Sequence, residues 1–257
     1  MSKIIPIHSF RGGTGKSNIT ANVAVTTAHR GHRVGIIDTD IQSPGIHAIF
    51  GMGSEQMDHA LNDYLWGKCS IEKTAYDVTE RGGGPCPAPT QGKVYLIPSS
   101  VKTGEIVRVL REGYDVGILN DGLRDVIDAL KLDYLFIDTH PGLNEETLLS
   151  MAISDIVLII MRPDQQDYQG TAVTVDVARS LDVPELYLIV NKVPSGLDAG
   201  DVTKRVEESY GIPVLSVLPL SETMVELGSA GVFCLQYPDH RFSQGIAHIA
   251  DVVTGNG

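Results

Sequence analysis

The chain has 257 residues, 42% of them hydrophobic and 20% charged, which suits a globular protein and excludes disordered, collagen-like and disulfide-stapled classes. At roughly 100–200 residues per domain, it makes one large domain or two small ones. Asp and Glu number 32 against 20 Lys and Arg, a formal charge of -12, which weighs against loose binding to DNA phosphates or anionic lipid.

The opening Met1-Ser2-Lys3 runs straight into the apolar strand Ile4–His8, so a secretory leader is not expected. A glycine-rich turn then leads into a helix over Ser17–Arg30. Further on, the pattern predicts strands at Val34–Asp38, Val94–Pro98, Tyr134–Asp138, Ile156–Met161, Leu186–Asn191 and Val214–Leu218. Helices fall at Gly104–Arg111, Leu119–Leu130, Glu145–Ile153, Gly170–Ser180, Asp201–Tyr210 and Phe242–Val253. Most strands are continuously apolar, as in Ile156-Val157-Leu158-Ile159-Ile160-Met161, which is how strands read when helices cover both faces of a parallel sheet. The alternation predicts an α/β fold with a doubly wound, mostly parallel sheet of about seven or eight strands flanked by helices. No linker divides it, so residues 1–257 are read as a single domain. No run of 18 apolar residues exists, which predicts no membrane-spanning helix. The segment Gly82–Pro89 breaks both helix and strand, and reads as a surface loop or a loop that meets a partner. Cys69, Cys86 and Cys234 contain no C-x-x-C pair, as expected of a protein from the reducing cytoplasm.

The richest stretch is Ser9-Phe10-Arg11-Gly12-Gly13-Thr14-Gly15-Lys16-Ser17, between a strand and a helix. Glycines let such a turn present backbone N–H groups to phosphate oxygens, and the helix start adds its positive dipole end. Gly12, Gly13, Thr14 and Gly15 would cradle the phosphates, Lys16 would reach the β- and γ-phosphates, and the Ser17 hydroxyl would ligate Mg²⁺. Phe10 stands where the usual G-x-x-x-x-G-K-[ST] loop has glycine.

With R-G-G-T-G-K-S, the loop resembles the deviant Walker A motif, K-G-G-x-G-K-[ST], of the ParA/MinD family of ATPases, and the likeness extends over roughly residues 3–253. In that family the first lysine of the motif reaches across an ATP-sandwich dimer to the other subunit's phosphates. This chain has Arg11 there, which keeps the charge and supplies a planar, bidentate donor like an arginine finger; the alternative is a local cap on carbonyls. Asp38-Thr39-Asp40 resembles the switch I sequence, and the resemblance implies that Asp40 orients the attacking water while Asp38 lies near Mg²⁺. Tyr134–Asp138 reads as a Walker B strand whose Asp138 would hold a Mg²⁺-bound water. Thr139-His140-Pro141-Gly142-Leu143 resembles switch II, with His140 a departure that is either a turn residue or a γ-phosphate contact. Asn191, ending an apolar strand, matches the family's adenine reader, although strand-end Asn also caps turns. Pro219 falls in the loop expected to close over the base, and Asn18 in the phosphate-loop helix joins the expected nucleotide contacts. Arg162–Tyr168 lies where relatives place dimer-interface residues.

The resemblance therefore implies a cytoplasmic ATP hydrolase, slow and partner-stimulated, with ATP and Mg²⁺ as ligands, that forms a homodimer with ATP. Arg11, Lys16 and Asp40 would be its catalytic residues, and Ser17, Asp38 and Asp138 its metal site. Residues 201–257 carry Lys204, Arg205 and Arg241 against seven acids, a poor footprint for DNA. The helix Phe242–Val253 carries no Lys or Arg for a membrane surface. What remains is a switch that positions or regulates a cellular assembly through a protein partner. An ATPase for metal-cofactor insertion and a nucleotide sensor without useful turnover are the alternatives.

Overall fold

The computed structural model describes residues 2–81 and 92–255, so the expected loop at Gly82–Pro89 lies outside the described residues. In chain order the described elements are β1 (Lys3–His8), α1 (Lys16–His29), β2 (Arg33–Asp38), α2 (Ile46–Ile49), α3 (Leu61–Leu65), β3 (Tyr76–Asp77), β4 (Lys93–Ile97), α4 (Thr103–Glu112), α5 (Val116–Leu130) and β5 (Tyr134–Asp138). They continue with α6 (Glu145–Ala152), β6 (Ile156–Met161), α7 (Gln165–Ser180), β7 (Glu185–Val193), α8 (Ala199–Tyr210), β8 (Val214–Pro219), α9 (Glu222–Leu227), α10 (Phe233–Gln236) and α11 (Arg241–Thr254). The eight strands form one sheet in the order β3-β4-β2-β5-β1-β6-β7-β8. Only β3 runs antiparallel, on the edge against β4. The doubly wound α/β fold is thus the one expected from the alternation of apolar strands and helices.

Each expected strand is present within two residues of its predicted ends. Helix α7 begins five residues earlier than its apolar pattern suggests, because the Asp164 carboxylate caps it by accepting from the Gln166 and Asp167 N–H groups. The two-residue β3 and the short α2, α3, α9 and α10 are too brief to show a period.

Helix α1 is buried nearly all round, from Ile19 to Ala28. The sheet covers one side of it and α11 the other, within one core that includes Ile5, Ile7, Ile36, Phe136, Phe242, Ile246, Ile249 and Val253. Burying each such side chain stabilises the fold by about 1.5–3 kcal/mol. The apolar stripe of α11 is therefore spent inside the molecule. Arg30 fastens the pair, its guanidinium 2.6 Å from the Asp251 carboxylate and donating to the Ala247 carbonyl at 2.7 Å.

Candidate functional site

From β1 the chain crosses by α1 to β2 on one side, and from β5 it crosses by α6 to β6 on the other. The order therefore reverses around β1 and β5, and a crevice opens beyond their carboxyl ends, the usual place for a ligand in such a sheet. Residues 9–15 fill that edge. Gly13 and Gly15 have φ of +76° and +100°, a region in which other residues are strained. A Cβ on Gly15 would also stand 2.6 Å from the Asn191 amide nitrogen.

Ser9 is the hub of the loop. Its hydroxyl donates to the Arg11 carbonyl at 2.7 Å and accepts from Thr14 Oγ1 at 2.9 Å and from Lys16 Nζ at 3.3 Å. Lys16 is 7% exposed. Burial lowers its pKa, opposed by the nearby Asp138, Asp40 and Asp38 carboxylates. The ammonium thus points into the crevice beside three acids.

Two of those acids are register partners, Asp38 on β2 and Asp138 on β5. Burial foremost pushes both pKa values up, and for Asp38 the neighbouring Asp138 adds to the effect. Their partners differ. Asp38 accepts the Asp40 N–H at 3.0 Å and the Gly45 N–H at 3.3 Å, so it shapes the turn after β2. Asp138 Oδ1 is buried without a hydrogen-bond partner among the described residues. Ser17 and Thr20 lie close enough to hold the Asp138 carboxylate's pKa down against its burial. A buried, unpartnered carboxylate oxygen beside a hydroxyl is a hard oxygen donor set, and it fits Mg²⁺, which binds through one or two protein oxygens and keeps waters or phosphates elsewhere. Among the described residues, no group of three or more His, Cys, Asp or Glu side chains is arranged to hold a metal ion by itself.

Asp40 and His140 sit two residues beyond that register pair, and their side chains meet, His140 Nδ1 lying 2.7 Å from Asp40 Oδ1. Below them His8 is fully buried. Thr139 Oγ1 donates to the Ile7 carbonyl, so His8 Nδ1 donates to Thr139 Oγ1 at 2.8 Å, and His8 Nε2 has no partner among the described residues. Burial, and then Lys16, lower the His8 pKa to about 3, so the ring is neutral.

Arg11 does not lie over its own phosphate loop. Its guanidinium donates to Gln166 Oε1, and its Nε stands 4.0 Å from Asp167, which Arg162 already clamps at 3.0 Å. Phe10 lies on the same helix, against Gly170, where a Cβ would collide with its ring. The expected interface segment 162–168 is therefore the part of α7 and its cap on which Arg11 rests.

At the other end of the crevice, Gly15, Asn18, Asn191, Pro219, Met224, Val225 and Phe242 line a cavity of about 240 Å³. The Asn191 amide donates to the Thr14 carbonyl at 2.7 Å, tying the end of β7 to the phosphate loop. Lys192, with φ of 57°, donates to the Gly13 carbonyl at 2.8 Å. The structure thus brings the expected residues of the loop, the two strand-end acids, Asn191 and Pro219 to one crevice. His8, Lys192 and the hub role of Ser9 are additions that residue type and spacing did not mark, since the fold sets their partners.

The sequence matches, over residues 1–254, the family model described as "ParA: NUBPL iron-transfer P-loop NTPase". It is 28% identical over 256 residues to an uncharacterized ATP-binding protein of Methanocaldococcus jannaschii, covering 99% of this chain and 89% of that one. To an iron-sulfur cluster carrier protein of Saccharolobus solfataricus it is 27% identical over 263 residues, covering 97% and 82%. The fold is similar to that of the septum site-determining protein MinD of Pyrococcus horikoshii, solved with Mg-ADP, with a TM-score of 0.78, 20% identity, and 98% and 96% of the two chains covered. The chain belongs to the ParA family of P-loop NTPases.

Proposed function

We propose that this protein is a Mg-ATP-dependent switch. It binds ATP in the crevice, dimerises with a second copy, hydrolyses the nucleotide slowly and so times its hold on a protein partner. The observation that carries the reading is the convergence at one strand-end edge of the Lys16 ammonium, the glycine loop and the unpartnered Asp138 oxygen. The loop N–H groups and Lys16 would offset charge on the phosphates, and Asn191 would face the base. Mg²⁺, held by Ser17 and Asp138, would neutralise charge on the β- and γ-oxygens. Asp40 would hold the attacking water, and Arg11, released from Gln166, would reach the phosphates of the second copy.

Equilibrium binding and single-turnover hydrolysis test the reading together. The wild-type chain should bind ATP more tightly with Mg²⁺ than in EDTA and turn it over, and Asp138→Asn should lose the Mg²⁺ dependence. Binding that ignores Mg²⁺ in the wild type would overturn the assigned metal site.

A second reading, carriage of a metal cofactor as cargo, is favoured by the family description and by the relatives named as iron-sulfur carriers. The two described thiols, Cys69 and Cys234, give it little support, since burial raises the pKa of both. Burial pushes the Cys234 thiol up to about 11, which keeps it protonated and a poor metal ligand. Anaerobic reconstitution with iron and sulfide decides between the two. Stoichiometric iron that Cys69→Ser, Cys86→Ser or Cys234→Ser abolishes would establish the cargo reading.

A further inference from the structure

The contact between His140 and Asp40 joins two loops that follow neighbouring strands. Asp38 and Asp138 are aligned across the β2–β5 ladder, so the residues two positions on, Asp40 and His140, leave the sheet side by side. Both side chains are largely sheltered, 17% and 25% exposed. The Asp40 carboxylate can only accept when ionised, so the imidazole N–H at Nδ1 donates to its Oδ1 at 2.7 Å. The Ser43 N–H donates to the same Oδ1 at 3.2 Å, and the Asp40 N–H is itself held by Asp38. Two donors therefore fix one oxygen of Asp40, and Oδ2 is the oxygen left for a further partner.

The His140 loop is in turn fastened to the phosphate loop. The Gly142 N–H donates to the Ser9 carbonyl at 3.3 Å, and the Thr39 N–H donates to the Asp138 carbonyl at 3.0 Å. Pro141 packs towards Gly12. The His140 loop is thus tied to Asp40 on one side and to the phosphate loop on the other.

We propose that His140 is a positioning residue for ATP hydrolysis, which sets the Asp40 carboxylate so that Oδ2 faces the attacking water. This rests on the reading of Asp40 as the residue that holds that water. His140 acts through Asp40, because its Nδ1 proton is engaged there; no bond to substrate is assigned to the ring. Without it, the carboxylate turns about its terminal torsion, which is broad and roughly two-fold, and the productive orientation is a minority.

The test is single-turnover hydrolysis at saturating Mg-ATP, with equilibrium ATP binding measured on the same full-length proteins and folding checked by thermal melts. His140→Ala should hydrolyse about 10- to 100-fold more slowly, the worth of one charge-assisted hydrogen bond, with ATP affinity within about twofold of wild type. His140→Asn, whose amide nitrogen sits near the Nδ1 position, should recover most of the rate. His140→Gln places its amide further out, at the Nε2 position, and should not. An unchanged rate in His140→Ala, or equal recovery by Asn and Gln, would overturn the proposal. If Asp40→Ala hydrolyses as fast as wild type, the reading of Asp40 beneath it fails instead. If Asp40→Ala is slow, adding His140→Ala should cost nothing more, and a further loss would show that the ring acts independently of Asp40.

Discussion

The two ends of the crevice are built differently. At the base end, Asn191 and Pro219 stand on the ends of β7 and β8, and the Asn191 amide is tied to the phosphate loop by one 2.7 Å hydrogen bond. At the γ-phosphate end, Arg11, Asp40 and His140 stand on loops, and they hold each other or α7. At the base end, Asn191 is the residue type that the resemblance leads one to expect. The γ-phosphate end carries the two departures from the pattern it resembles, Arg11 and His140. The proposed switch therefore puts nucleotide binding at the first end and the timing of hydrolysis at the second.

That division can be broken experimentally. The largest effect is expected from Asp40→Ala, which should slow hydrolysis by about 10²–10⁴-fold, the usual worth of a group that handles the reacting proton. ATP affinity should hardly change, and a parallel loss of affinity would put Asp40 in binding rather than rate. Lys16→Ala stands where the two ends meet. It should weaken ATP binding by about 10- to 100-fold through loss of charge-assisted bonds to phosphate; calorimetric titration reads this directly, and near-normal affinity would remove Lys16 from the phosphates.

Smaller effects probe the supports. Gly15→Ala forces an ordinary residue to φ of +100° and pushes on the Asn191 amide. It should cost about 1–2 kcal/mol of stability and weaken ATP binding while leaving the single-turnover rate near wild type. An altered rate with normal affinity would contradict the separation of the two ends.

His8 gives a pH signature. Its folded pKa of about 3 lies below the usual 6.5, so the unfolded chain takes up the proton first. The stabilisation it lends is complete above about pH 6.5 and is lost as pH falls towards 3, amounting to about 2 kcal/mol by pH 5. Asp38 and Asp138, with raised pKa values, act in the opposite sense and gain stability as they protonate. The readout is therefore a comparison. His8→Asn, which keeps a donor for Thr139, should lose less stability than wild type between pH 7.5 and pH 5 in denaturant titrations. Equal losses would mean that the His8 ring is not held neutral.

Much of this was legible in the sequence for a physical reason. Strands such as Ile156–Met161 are buried on both faces and leave no polar positions to confuse the pattern. The phosphate loop must be glycine-rich, because two of its residues take positive φ. Asp138 was legible as a strand-end acid, but its difference from Asp38 was not: only the structure shows that Asp38 holds two backbone N–H groups while Asp138 keeps an oxygen with no partner among the described residues. The meeting of Asp40 and His140 depends on the register between β2 and β5, residues 100 positions apart in sequence, which no local pattern encodes. The partner of Lys192 lies as far away in sequence, and the partners of Ser9 are brought together only by the turn of the loop.

In the proposed switch, ATP converts this chain into a dimer in which Arg11 leaves Gln166 for the second copy. Light scattering on Asp40→Ala, slow to hydrolyse and saturated with Mg-ATP, tests it most directly. The predicted result is twice the 27.7 kDa chain mass, returning to the single mass with ADP and not reached when Arg11→Ala is added. A protein that holds one ATP per chain and stays at the single mass would rule out that dimer.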